Sequence, residues 1–519
     1  MKNETRHPLR IVVVADPEPD LSDAQALLID RLNADPKIEL CGRIAGTDQK
    51  PHRVLSHTVR AILACERYLV RGRILACNTE PARQVLSSLP EIGSEAAAGA
   101  FDLALALGRS RLAQGDLGIA RFGEWTPSYG GSADPGWIGV APDIREKPRV
   151  EVEILRRLAD NPASVAIRRT SYNPKPGAVL TGAFVAEKSV LFLHHALDDL
   201  ADRREDMTDG HTPLPLPRSP TFRDALSYAR DFLKVSFRKL AERMRERRNR
   251  ARQFWRISRG TGGVTEVDPK RVVDLPERAQ VMADPFLFEH EGALWVFYEA
   301  MNAGGGNGWI EAARLIDQGA EPSVTALKRP YHLSFPFVIA AGDDVFMIPE
   351  TQQSRRLEVW KATGFPTGWE LHTTAFEGQH LAESSLFCDD DGQWWLLTNL
   401  SDHHAFQDHS SELYVFAIDG PDLKSITPHP KNPVVFGADT ARNAGAIIRQ
   451  EGRLFRPAQN NSYGVYGYGL NLMEITRLDA SGYEERLFRQ FTPEDKPGSI
   501  ALHHLSAVRD QYVFDWCGE

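Results

Sequence analysis

The sequence predicts a multidomain chain: an N-terminal α/β domain with an open sheet, then an all-β five-bladed propeller. Three observations predict it. The chain has 519 residues, more than one hydrophobic core usually supports, so two or more domains are expected. Its opening alternates compact apolar runs with helical patterns, the order of a β-α-β-α unit. Its C-terminal half repeats one strand-turn-strand unit five times, and repeats of that size signal a propeller or an array.

Composition narrows the function classes. At 42% hydrophobic and 25% charged the chain is an ordinary globular one, neither mainly disordered nor fibrous. A net charge of −9 implies no global pull toward nucleic acid or anionic membrane. Cys41, Cys65, Cys77, Cys388 and Cys517 are an odd number without a CxxC pair, so they read as buried or free thiols rather than a disulfide framework or zinc knuckle. No run of about eighteen apolar residues predicts a transmembrane segment. A cytoplasmic protein is the expectation.

The first domain is expected over residues 1–200. RIVVVA, LSDAQALLIDRLNADP and KIELCGRI lead into a helical stretch from about Arg53 to Val70, and FDLALAL, VEVEIL and SVAIRRTSY supply further strands. The turn ADPEPD after the first strand lacks the glycines that let a backbone approach a pyrophosphate, so dinucleotide binding is disfavoured. Residues 201–264 read as a proline-rich linker and a basic amphipathic helix. Phe222, Leu226, Ala229, Leu233, Phe237, Leu240 and Met244 form one apolar stripe expected to pack on something. From Arg223 to Arg256 there are twelve Lys and Arg against four Asp and Glu. A solvated basic face on a helix bridging two domains is the plainer account; nucleic-acid or membrane-surface binding is the sharper one.

The propeller is expected over residues 265–519. Its units begin at Asp284, Phe335, Ser384, Ala444 and His504. LEVWKAT, SELYVFAI and GLNLMEITRL fill the intervals, giving about four strands per blade. Inner strands of a propeller converge on its axis, so polar residues at their starts meet there. Asp284 and Glu383 stand at such starts, and a carboxylate pair supplies the general base and general acid of glycoside hydrolysis. Glu299, Glu350, Asn399 and Gln459 recur at second-strand ends. Arg442, Arg456, Gln459 and Asn460 suit an anionic or polyhydroxylated ligand. His503 and His504 open the fifth unit, where core packing or substrate contact is the plainer reading and a metal ion at the axis the sharper one. Asp402, His403, His404, Asp408 and His409 match no common metal template and read as a surface loop.

The runs MADPFLFEHEGALWVFYEA, YHLSFPFVIAAGDDVFMIPET, DDGQWWLLTN and RNAGAIIRQEGRLFRPAQN resemble the propeller domain at the N-terminus of plant glucosamine inositolphosphorylceramide transferases. More distantly this region resembles five-bladed glycoside hydrolases of the arabinanase and β-xylosidase type, which implies Asp284 as base and Glu383 as acid. Those hydrolases carry a further Asp on blade two, where this chain has SFPFV with Phe335 and Phe337; Glu350 is the candidate replacement, and ordering a turn or binding Arg442 or Arg456 is its equal alternative. The α/β opening, FDLALALG and FGEWTPSYGGSADPGWIGV resemble a divergent formyltransferase, a Rossmann-type open sheet. The Asn-His segment of active members is absent, and Asp134 or Asp143 is either the acidic remnant or, the plainer reading, a loop residue, so a degenerate domain is expected. Three functions follow: a carbohydrate- or glycoconjugate-active enzyme without a cofactor, a formyltransferase acting on an amino sugar with reduced folate, or a non-catalytic sugar-binding protein. No motif sets an oligomeric state or a specific nucleic-acid partner.

Overall fold

The computed structural model describes residues 7–15, 20–48, 55–93, 96–203, 210–246, 253–303, 305–317, 319–401 and 405–519. The chain divides into two compact units, 1–235 with 404–406, and 236–403 with 407–519. The division falls inside the basic helix, within the stretch expected as linker.

In the first unit β1 (Leu9–Val14) lies between β2 (Ile38–Ile44) and β3 (Leu103–Ala106), all three parallel. The sheet continues through β4 (Glu124–Tyr129), β5 (Val150–Arg157) and β6 (Val165–Tyr172) in the order β2-β1-β3-β4-β5-β6, its last two strands antiparallel to their neighbours. Central strands are apolar on both faces because both are covered, one by the helices Asp23–Ala34 and Glu80–Ser88 and the other by Phe101 and residues 112–120: every residue of β1 except Arg10 is buried, as is every residue of β3. Helix α1 (Asp23–Ala34) starts on a Ser22–Gln25 capping box. It is followed by α2 (His57–Val70), α3 (Glu80–Ser88) and α4 (Ala178–Arg203). Asp134 caps a short 3₁₀ turn through Gly136 and pairs with Arg109, and Asp143 accepts the Arg218 N–H; both carboxylates have structural partners.

Helix α5 (Phe222–Glu246) corrects the expectation about its apolar stripe. The face it buries carries Ala225, Tyr228 and Phe232, packed with Val59, Leu63, Ala178 and Val179. Tyr228 Oη donates to the buried Glu66 carboxylate and accepts the Ala178 N–H. The expected stripe lies outward: Phe222, Leu226, Leu233, Phe237, Leu240 and Met244 are all 49–66% exposed.

The second unit is a five-bladed propeller. The inner strands are Val281–His290, Ser334–Ala341, Leu381–Cys388, Ile448–Gln450 and Leu505–Val508, each leading an antiparallel sheet. Blade five is assembled from both sides of the ring. Its second strand, Gln511–Gly518, pairs along its whole length with Phe254–Thr261, and Val273–Asp274 lies outside that. Propeller structure therefore begins at Phe254, inside the stretch read as linker. Apolar clusters fill the wedges between blades: Phe297, Leu327, Met347 and Trp369 join blades one and two, and Phe387, Trp395, Leu413 and Leu454 join three and four. Burial of both faces of each small sheet is what makes such a ring stable.

Candidate active site

Three successive blades repeat one backbone device. The inner-strand ladders break between Ala283 and Phe286, Ser334 and Phe337, and Ala382 and Ser385. At each break one residue takes a left-handed backbone: Asp284 (φ 51°), Phe335 (φ 44°) and Glu383 (φ 51°). Side chains other than glycine rarely adopt it, at a cost of about 1–3 kcal/mol per residue. Such bulges re-aim a side chain and persist only when surroundings hold them.

Here the surroundings are carboxylates. Each bulge N–H is bound by an acid: Asp515 accepts from Asp284 (2.9 Å), Asp284 from Phe335 (3.1 Å), and Glu350 from Glu383 (3.2 Å). Asp515 also accepts the N–H groups of His503 and His504. The device thus places Asp284 and Glu383 and forms hydrogen bonds from blade five through blade three.

Charge gathers around it. Glu383 Oε1 accepts from Arg442 Nε (3.1 Å) and Nη2 (2.6 Å), a fork on one oxygen, and from Gln459 Nε2 (3.4 Å). The Arg442 guanidinium lies 4.9 Å over the Tyr466 ring, whose hydroxyl also meets Gln459. His503 Nδ1 is 2.7 Å from Asp515 and its Nε2 3.9 Å from Asp284. Trp255 stacks on that imidazole at 4.2 Å. Gly467 is required beside it, since with φ 62° an added Cβ would lie 2.6 Å from His503 Cβ.

Burial displaces the titrations. It pushes Asp284 up to about 6, with Asp515 and Glu350 adding repulsion and His503 opposing. It pushes Glu350 to about 7, helped by Glu383, and Glu383 to about 7 against the pull of Arg442. Glu299 also rises well above its ordinary value by burial, then by repulsion from Asp284. Burial would depress His503, but Asp515 and Asp284 hold it up at about 9; His504, whose buried ring nitrogens make no hydrogen bond among the described residues, falls to about 3 through burial, although Asp515 opposes the shift. These acids favour folding most below their ordinary values and lose that contribution as pH rises through 6 to 7; His503 loses its own as pH climbs through about 9. Both signs agree. The propeller's melting temperature should therefore fall by roughly 5 °C between pH 5 and pH 9, read by tryptophan fluorescence.

Asp284, Glu299, Glu350, Glu383, Arg442, Gln459, His503 and His504 thus belong to one electrostatically connected group. Glu350 orders the Glu383 backbone and stands near Arg442, which is the structural alternative weighed for it. Arg456 is a correction. It is fully buried, and its guanidinium is committed to Glu485, Asn443 and Thr440, so it does not face a ligand. Asn460 accepts from Ser462, and Asn399 serves backbone groups of Glu412, Ala441 and Asn443. Asp408 and His409 are buried rather than on a surface loop, with Asp408 accepting from Ser410 and Ser411; Asp402, His403 and His404 lie outside the described residues. Phe335 fills the blade-two bulge, edge-on to Phe286 and His504. Sequence reasoning missed Asp515, Trp255 and Tyr466; a lone acid inside the apolar run QYVFDW was the one available signal.

Among the described residues, ligand atoms of Asp284, His503 and Asp515 lie within 4.8 Å of one another. The imidazolium of His503 already supplies the positive charge there. A cation fits this group only after that proton leaves.

Comparison with known proteins covers this half of the chain. The family model described as glucosamine inositolphosphorylceramide transferase 1, N-terminal, matches residues 267–503. The transferases of that name from Oryza sativa subsp. japonica and Arabidopsis thaliana are 33% and 31% identical over 235 and 241 residues, covering 44% and 45% of this chain but 31% of each relative. Among solved structures, a thermostable family-43 glycoside hydrolase gives a TM-score of 0.37 at 13% identity, covering 46% of this chain and 88% of that one. An α-L-arabinofuranosidase from Clostridium thermocellum gives 0.33 at 11%, covering 46% and 83%. The chain spans about a third of the length of the curated relatives it matches, and its propeller is similar to their N-terminal region.

Proposed function

We propose that the propeller is a carbohydrate- or glycoconjugate-active enzyme working by acid/base catalysis, with Asp284 as base and Glu383 as acid. One observation carries the reading. Asp284 Oδ1, Glu383 Oε2 and Gln459 Oε1 are buried acceptors with no hydrogen-bond partner among the described residues. Unspent buried acceptors are costly, and hydroxyl-rich ligands supply donors for such atoms. The name of the relatives, glucosamine inositolphosphorylceramide transferase 1, agrees with a carbohydrate-related chemistry.

In this mechanism Asp284, ionised above about 6, takes a proton from the attacking hydroxyl or water. Glu383, still protonated below about 7, gives one to the departing oxygen. Burial and repulsion from Asp284 raise the proton affinity of Glu383, and Arg442 holds its other oxygen so that Oε2 is the atom that donates. The α/β unit, on this proposal, is a degenerate formyltransferase-like scaffold without formyl-transfer chemistry, and the protein is cytoplasmic.

The test is turnover of a panel of glycosides and glycosyl donors. kcat/KM should follow a narrow bell, losing activity below about pH 6 as Asp284 protonates and above about pH 7 as Glu383 ionises. Asp284→Asn should remove the acid limb together with most of the rate. No product from any donor, with sugars bound on a glycan array, would establish a binding protein instead.

A further inference from the structure

The outward face of α5 is a feature that the axial chemistry leaves unused. Phe222, Leu226, Leu233, Phe237, Leu240 and Met244 fall in an arc of about 60° at 100° per residue, and each is at least 49% exposed. The opposite side of the same helix is anchored by Ala225, Tyr228 and Phe232, so the stripe is not the face that holds the helix to its unit. Arg223, Arg230, Lys234 and Arg238, all exposed, run along one border of the stripe. From Arg223 to Arg256 the excess of cations over anions is eight in a chain of net −9.

We infer that α5 lies on an anionic lipid surface, apolar face inserted and cations against the head groups. A helix with a bulky apolar stripe, a basic flank and low overall hydrophobicity has the form of an interfacial anchor. The charge says which surface: a stretch of such positive excess is complementary to anionic lipid. The spacing argues against a second copy as occupant. The stripe advances 22 residues, 222 to 244, in six turns, close to 3.7 per turn, whereas a seam that winds on a partner helix keeps 3.5. Nucleic acid pairs with cations through its phosphates and leaves six bulky apolar side chains without a role. Among the described residues no helix is long and apolar enough to cross a membrane, so the association is peripheral. The inference stands apart from the carboxylate chemistry.

Flotation of the full chain with vesicles tests it. Binding to phosphatidylcholine containing phosphatidylglycerol should exceed binding to phosphatidylcholine alone by about tenfold and weaken with salt. Leu233→Asp with Phe237→Asp should abolish it, and Lys234→Glu with Arg238→Glu should weaken it about tenfold, both with unchanged circular dichroism. Three results overturn the proposal: equal or absent binding to both vesicle types, a dimer in ultracentrifugation that the Leu233/Phe237 pair dissolves without any vesicle binding, or retention on nucleic acid that survives that pair while vesicles are ignored.

Discussion

Glu383→Gln should lower kcat/KM about a thousandfold on substrates whose leaving group must be protonated, and by less than about tenfold on aryl glycosides that leave unaided. The split follows from geometry. Glu383 Oε1 is occupied by Arg442 and Gln459 while Oε2 has no partner among the described residues, so an amide keeps the fork's oxygen and loses only the transferable proton. A uniform loss across both substrate types would assign Glu383 to binding or to architecture. Circular dichroism and the melting curve control for folding, because the backbone at residue 383 is held by Glu350 and not by its own side chain.

Arg442→Met should destabilise the propeller by about 3–5 kcal/mol, the usual cost of removing one partner from a buried ion pair. Arg442 is the cation in contact with Glu383 and near Glu350. With it gone, both acids lose the interaction that favours their ionised forms, and their titration moves further up. The penalty should be largest above pH 7, where Glu383 is ionised, and should shrink at pH 5, where it is not. Urea unfolding at both values measures it. The double variant Glu383→Gln with Arg442→Met should cost less than the two single changes added, since contacting residues couple. Equal penalties at both pH values would place the contribution of Arg442 in packing.

How much of this was legible in the sequence depends on distance along the chain. Asp284 and Glu383 were legible because the same strand start recurs, so equivalent positions declare themselves. Phe335 was legible as the blade that breaks the pattern. Asp515 and Trp255 were not: their strands pair across more than 200 residues of sequence, and Trp255 sat in what read as linker. Arg456 failed on parity. Neighbours alternate faces along a strand, so Arg456 and Gln459, three apart on Arg453–Ser462, cannot both face the axis, and it is Gln459 that reaches Glu383. The α/β sheet followed from apolar runs, while the buried side of α5 depends on Tyr228 finding Glu66, a contact 162 residues away that no periodicity reveals.

Assembly of blade five from two distant strands also sets a timetable. Asp284 leaves the ribosome 231 residues ahead of Asp515, whose carboxylate holds its backbone, and His503 arrives almost as late. A nascent chain therefore carries the reactive acids long before it carries what aligns them. On the proposed mechanism, a chain stopped short of Asp515 lacks the carboxylate that holds the Asp284 backbone and should show no turnover.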